Sequence, residues 1–272
     1  MRTRLKGPAG TIEIQYQARD EAVARDVLSS SGTYLDGIEA HYGLRRPARI
    51  RLVVLTSWFW FPFQTAPWYL LPSVIMLLPV WARRARRIWP IAGGWQQSYP
   101  GGVAAIGIKP PRMIDQSDLS VGEQLFREIE DARMKTHSLL IHELTHACTN
   151  RMHLPAWLNE GLAMAAVDHL LGIESVLPQS RNLVREEVLR KERMRAGQTG
   201  RDRDALLALY AAGYWLVRWV EKRHPGLLKE LLAVRHGRDQ VQAIIEDALG
   251  CGSGKLWAYA DAAFGFNRPH KR

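Results

Sequence analysis

LLIHELTHACTN, residues 139–150, is the stretch on which the reading of this chain turns. His142 and His146 are four apart, and residues at that spacing stack on one face of a helix, so both imidazoles can reach one metal ion. Glu143 lies beside the first of them, able to take a proton from a water on that metal. Leu139, Leu140, Ile141 and Leu144 mark the helix as buried, where two histidines and a carboxylate are costly unless something satisfies them. The bland alternative, a surface helix with incidental histidines, does not account for those four apolar residues.

A tetrahedral catalytic zinc takes three protein ligands and keeps one position open. The following stretch, TNRMHLPAWLNEGLAMAAV (149–167), offers the third. Asn150 can end the first helix and Pro155 suits the first turn of the next, giving a helix–turn–helix that returns Glu160 to the level of the histidines. Ala156, Trp157, Leu158, Leu162, Ala163 and Ala166 make this second helix apolar almost all round, so an unpaired Glu160 would be expensive there. The expected cofactor is one Zn²⁺ per chain, on His142, His146 and Glu160. His137, five residues before His142, points to another face, and Cys148 reads as a small core residue.

HELTHA, followed after thirteen residues by the glutamate of LPAWLNEGLA, resembles the peptidase MA-like gluzincins, relatives of thermolysin. The resemblance extends to the strand–helix–strand start of the chain and to LYAAGYWLVRWVEKRHPG (209–226), which is similar to the family's tyrosine-bearing helix. It covers most of the chain outside residues 57–90. It implies a zinc-dependent peptidase acting on a peptide or protein, with His142, His146 and Glu160 as ligands and Glu143 as general base. It also implies that Tyr210 or Tyr214 stabilises the oxyanion. The chain departs from the family pattern four residues after the third ligand, where thermolysin-like enzymes often carry an aspartate and this chain has Met164. Asp168, two turns from Glu160 on the same face, reads as an ordinary helix residue. A metzincin pattern would need a histidine at Met152; His153 is one residue late and reads as a loop residue. The rival function is a catalytically inactive gluzincin-like domain serving as a membrane-associated binding or scaffold protein. Glu143 argues against it, because a site without catalysis has no need of that carboxylate.

Around this centre, the chain of 272 residues is 47% hydrophobic and 24% charged, which is globular composition. Two cysteines, Cys148 and Cys251, are too few for a disulfide-stapled fold or a cysteine zinc site. Alternation predicts strands at 11–16 and 49–55, with a third at 101–109, and helical periodicity predicts a helix over 20–42 stopped by Gly43. Ser120 and Glu123 form a capping-box pattern that predicts one long helix from there towards residue 150. Further helices are predicted at 155–171, 181–196, 203–223, 226–235, 238–249 and 254–264. The expected class is α+β: a β-containing part over 1–115 carrying a hydrophobic insertion at 57–90, then a helical zinc-binding part over 116–272.

The net charge of +10 is matched by three basic clusters: Arg2, Arg4 and Lys6; Arg83, Arg84, Arg86 and Arg87; and Arg268, Lys271 and Arg272. A nucleic-acid-binding fold would carry its surplus on one folded face, so no nucleic-acid partner is expected. The start, MRTRLKGPAGTIEIQ, has no apolar run after its basic residues, so no cleavable signal peptide is expected and the cytoplasm is the expected compartment. Leu52 to Ala82 contains no charged residue but holds four tryptophans and Pro62, Pro67, Pro72 and Pro79. Those prolines argue against a long helix. Contact with a membrane surface through 57–90, tryptophans at headgroup depth and the RRARR run on anionic lipid, is the expectation, the alternative being a hydrophobic loop packed on the domain or on a partner subunit.

Overall fold

The computed structural model describes residues 2–7, 10–90, 92–114, 122–183, 203–234, 237–256 and 259. The chain is α+β. It begins with β1 (Arg2–Lys6), β2 (Ile12–Gln17), α1 (Glu21–Tyr42) and β3 (Arg49–Val54). The insertion follows as α2 (Phe61–Thr65) and α3 (Leu71–Ile88), and the sheet is completed by β4 (Gly94–Tyr99) and β5 (Val103–Ile108). After the short α4 (Pro111–Ile114) and α5 (Gly122–Leu125) come α6 (Ala132–Thr149), α7 (Ala156–Leu171), α8 (Arg203–Arg223), α9 (Leu227–Ala233) and α10 (Arg238–Ala248). The helices expected at 181–196 and 254–264, and Ser120 of the capping-box pattern, lie largely outside the described residues.

Two compact units result, and neither is one continuous run. The first takes Met1–Glu39, Arg45–Leu119 and Ile129–Cys148; the second takes Ala40–Leu44, Ser120–Glu128 and Thr149–Arg272. The expected boundary near residue 115 is a single cut, whereas packing assigns most of α6 to the unit that holds the sheet.

In the first unit the strands run in the order β1-β2-β3-β5-β4. β2, β3 and β5 are mutually parallel, and β1 and β4 are added antiparallel at the two ends. α1 is the crossover between β2 and β3, and it buries Ala24, Val27, Ser31, Leu35 and Ile38 at helical spacing. β3 is central and buries Ile50, Leu52, Val53 and Val54, as a strand covered on both faces does. β1 lacks hydrophobic alternation. It forms because Lys6 stands opposite Glu13 in the β2 register and Arg4 reaches the same carboxylate at 3.7 Å. The N-terminal basic cluster is therefore a charged sheet edge and not a tail.

The insertion departs from the expectation drawn from its prolines. α3 is an 18-residue helix despite Pro72 and Pro79. Pro72 falls in the first turn, where its missing N–H costs nothing. Pro79 withholds one hydrogen bond from Ile75, a residue 60% exposed, where solvent can replace it. At the far end, Trp89 closes the helix, and the buried Lys109 places its ammonium on the Trp89 carbonyl and 4.5 Å from the Trp89 ring centre. A cation at a helix C-terminus meets the negative end of the dipole.

The long helix expected from Ser120 is broken. Phe126 pairs in an isolated bridge with Val176, no helix covers 126–131, and α6 starts afresh after Asp131, whose carboxylate accepts the Arg133 N–H at 2.8 Å. In the second unit, α7 and α8 pack backbone to backbone: a side chain on Gly161 would strike the Gly213 carbonyl, and one on Gly213 would strike the Trp157 carbonyl. α7 buries every residue from Gly161 to Asp168, as its apolar circumference requires.

Candidate metal centre

α6 ends at Thr149, and the chain turns through residues 150–155 into α7. Met152 N–H donates to the Thr149 carbonyl at 2.8 Å, and His153 takes a left-handed conformation with φ 52°. Pro155 caps α7, its carbonyl accepting from Leu158 and Asn159, each at 3.0 Å. The Thr149 hydroxyl donates to the Asn159 side-chain oxygen at 2.6 Å, which ties the turn to the residue beside Glu160. His153 is exposed and belongs to the turn.

Within α6, the i,i+4 spacing brings His142 Nε2 and His146 Nε2 to 2.9 Å, with the rings edge to face at 4.5 Å between centres. One ligand atom from each of His142, His146 and Glu160 lies within 4.8 Å of the others, and all three residues are half-buried. Two imidazole nitrogens that close either share a proton or face a common cation. Two imidazoles and one carboxylate are donor types that Zn²⁺ takes.

Glu143, 7% exposed, is held on the other side by the sheet. A Cβ on Gly94, the first residue of β4, would lie 2.6 Å from Glu143 Oε1, so the absence of a side chain there makes room for the carboxylate. Gly93 makes the same allowance for Leu139. Sequence reading missed both glycines because β4, GWQQSY, has no hydrophobic alternation; the Gly93-Gly94 pair ahead of a tryptophan was the available signal. β4 is an end strand of the sheet, so an edge of backbone begins beside Glu143.

The two candidate tyrosines differ. Tyr214 is buried, and its hydroxyl donates to Asp168 Oδ2 at 2.6 Å. Burial, followed by that bond to a carboxylate, raises its pKa above the ordinary phenol value. Asp168 also accepts from the Ser175 N–H at 2.8 Å and the Ser175 hydroxyl at 2.5 Å. It thus fastens the chain leaving α7 to α8, a role beyond the ordinary helix residue expected. Tyr210, one turn earlier on α8, is half-buried.

The neighbours of the motif are structural. His137 is buried between α1 residues, its Nδ1 bonded to the Tyr34 hydroxyl and its Nε2 2.7 Å from Asp26 Oδ2. The hydrogen bond from Arg133 holds the Asp26 carboxyl below its usual range. Cys148 is buried, which pushes its thiol up to about 12 and makes it a core residue without nucleophilic character. No family model matches the chain, and no curated protein matches it.

Proposed function

We propose that the chain is a zinc-dependent peptidase of the gluzincin type, with a peptide or protein as substrate. The observation that carries this reading is the approach of His142 Nε2 and His146 Nε2 to 2.9 Å, with a Glu160 carboxylate oxygen within 4.8 Å of both. His142, His146 and Glu160 are the residues that hold the metal. Bound zinc supplies Lewis-acid polarisation of the scissile carbonyl and lowers the pKa of the attacking water. Glu143 accepts the water's proton during attack and delivers it to the departing nitrogen. Tyr210 or Tyr214 stabilises the oxyanion; of the two, the Tyr214 hydroxyl donates to Asp168 at 2.6 Å. An extended substrate laid along the edge of β4 gains main-chain hydrogen bonds there and runs beside Glu143, whose carboxylate packs over Gly94.

Zinc analysis and a casein-cleavage assay on the purified chain test the reading together. The expected result is one zinc per chain, lost in His142→Ala, with cleavage abolished by a chelator and restored by zinc. Undiminished zinc in His142→Ala would overturn the ligand assignment.

A further inference from the structure

Among the described residues, the exposed large hydrophobic side chains are Trp60, Trp68, Tyr69, Ile75, Met76, Leu77, Val80 and Val234; all but the last come from one stretch of twenty-one residues. Met76 and Trp68 are each 81% exposed and Val80 is 74% exposed. Isolated apolar residues on a surface need no explanation, but a contiguous set of this size marks a contact site.

The set is carried by α3 and the turn that leads into it. The inner face of α3, with Val74, Leu78, Trp81 and Ala85 at helical spacing, is half-buried or buried. Trp81 packs between Trp58 and Trp95, its ring tilted to both at 5.4 and 5.7 Å between centres, so the inner face is already seated on the first unit. The outer face is a separate surface. It is apolar through Ile75, Met76, Leu77 and Val80 and turns basic at Arg83 and Arg86, both exposed. Arg84 and Arg87 add to the charge of the same run, and no acidic residue lies between Leu52 and Arg87. At 1.5 Å per residue, Met76 and Arg86 are about 15 Å apart along the axis, the depth from a phosphate layer into the acyl chains.

We infer that the outer face of α3, with Trp68 and Tyr69 ahead of it, is a wedge that seats in the surface of an anionic lipid bilayer. The apolar first turns, with Trp68 and Tyr69 beside them, enter the membrane, and the arginines take the lipid phosphates. No described helix is long and apolar enough to cross a membrane, so the wedge enters from one side and leaves by the same side. Charge complementarity selects this occupant over a second copy of the same face, which has no Asp or Glu between Leu52 and Arg87 to meet the arginines, whereas lipid phosphates do. This inference does not depend on the peptidase reading.

The test is flotation of the full-length chain with two vesicle preparations, phosphatidylcholine alone and phosphatidylcholine mixed with phosphatidylglycerol. Sedimentation of the free chain over a range of concentrations accompanies it. Binding to the anionic vesicles is expected, weakening as salt is raised because the arginine term is screened. Met76→Glu/Val80→Glu changes only exposed side chains and should reduce that binding by about tenfold or more. Arg83→Glu/Arg86→Glu should reduce it by a similar factor of about ten and leave binding to neutral vesicles unchanged. Equal flotation of the wild type and Met76→Glu/Val80→Glu would overturn the inference. So would a dimer that Met76→Glu/Val80→Glu dissolves, in a chain that does not float.

Discussion

The α6–α7 segment and the 57–90 insertion break the same rule in opposite directions. In α6, Glu143 is 7% exposed and the two histidines are half-buried, although a helix with Leu140, Ile141 and Leu144 fully inside could have been wholly apolar. In the insertion, Met76, Trp68 and Val80 stand in the open. A buried polar group carries a desolvation cost and an exposed apolar patch carries a hydration cost. On the readings proposed above, each cost would be recovered by something outside the chain, a cation in one case and a lipid surface in the other. The comparison separates two kinds of hydrophobic sequence that hydropathy alone does not distinguish.

The largest effect should come from the buried side. Glu143→Gln keeps the shape and hydrogen-bonding reach of the side chain but cannot accept a proton. Casein cleavage should fall by about 10²–10⁴-fold with zinc content unchanged, read by single-turnover assay and elemental analysis. Retained turnover would remove Glu143 as the base and leave its burial unexplained.

Next in size is the α7–α8 contact. Gly213→Ala drives a methyl group against the Trp157 carbonyl and should cost about 1–3 kcal/mol of stability in denaturant unfolding, because backbone cannot move aside as a side chain can. A neutral result would mean that the helices separate freely.

Lys109 gives a pH-dependent effect at the foot of the insertion. Burial lowers its pKa from 10.5 to about 8, so between those values the unfolded chain binds more protons than the folded one. Stability should therefore rise with pH across that window, with a slope of at most about 1.4 kcal/mol per pH unit from this group. The penalty is fully present below the folded-state value. Lys109→Met should remove that rise from the difference profile. The raised phenol pKa values of Tyr42, Tyr99 and Tyr214 act in the opposite sense: stability they contribute below pH 10 is lost as pH climbs beyond it.

The smallest effect sharpens the comparison by its absence. Met76→Glu/Val80→Glu should change unfolding free energy by no more than about 0.5 kcal/mol, since neither side chain is packed. A large loss would show that these residues are part of the folded core.

Much of the fold could be read from local pattern. The periodicity of Val27, Leu35 and Ile38 predicts α1, and the stretches 49–55 and 101–109 predict strands where β3 and β5 lie. β1 and β4 escaped notice because RTRLK and GWQQSY have no alternation; they exist through pairing with β2 and β5. The break between α5 and α6 depends on Phe126 meeting Val176, fifty residues away, which no local window contains. At the candidate site, His142 and His146 are visible because i,i+4 spacing stacks them on one helix face, and Glu160 because a short turn can return the next helix to their level. Gly94 beside Glu143 and the capture of Tyr214 by Asp168 were not, since each joins elements distant in sequence.

The glycine contact between α7 and α8 has a dynamic consequence. Helices that touch through side chains can slide or breathe by rotamer changes, whereas Gly161 and Gly213 meet through their main chains and leave no rotamer to adjust. Such a pair opens all at once. In native-state hydrogen exchange, the amides of Leu158–Asp168 and Ala211–Val217 should exchange as one cooperative block, with a shared opening free energy and a shared denaturant dependence. Drift at either glycine position cannot be answered by a change at the other, because the atom in the way is a carbonyl oxygen that every amino acid carries.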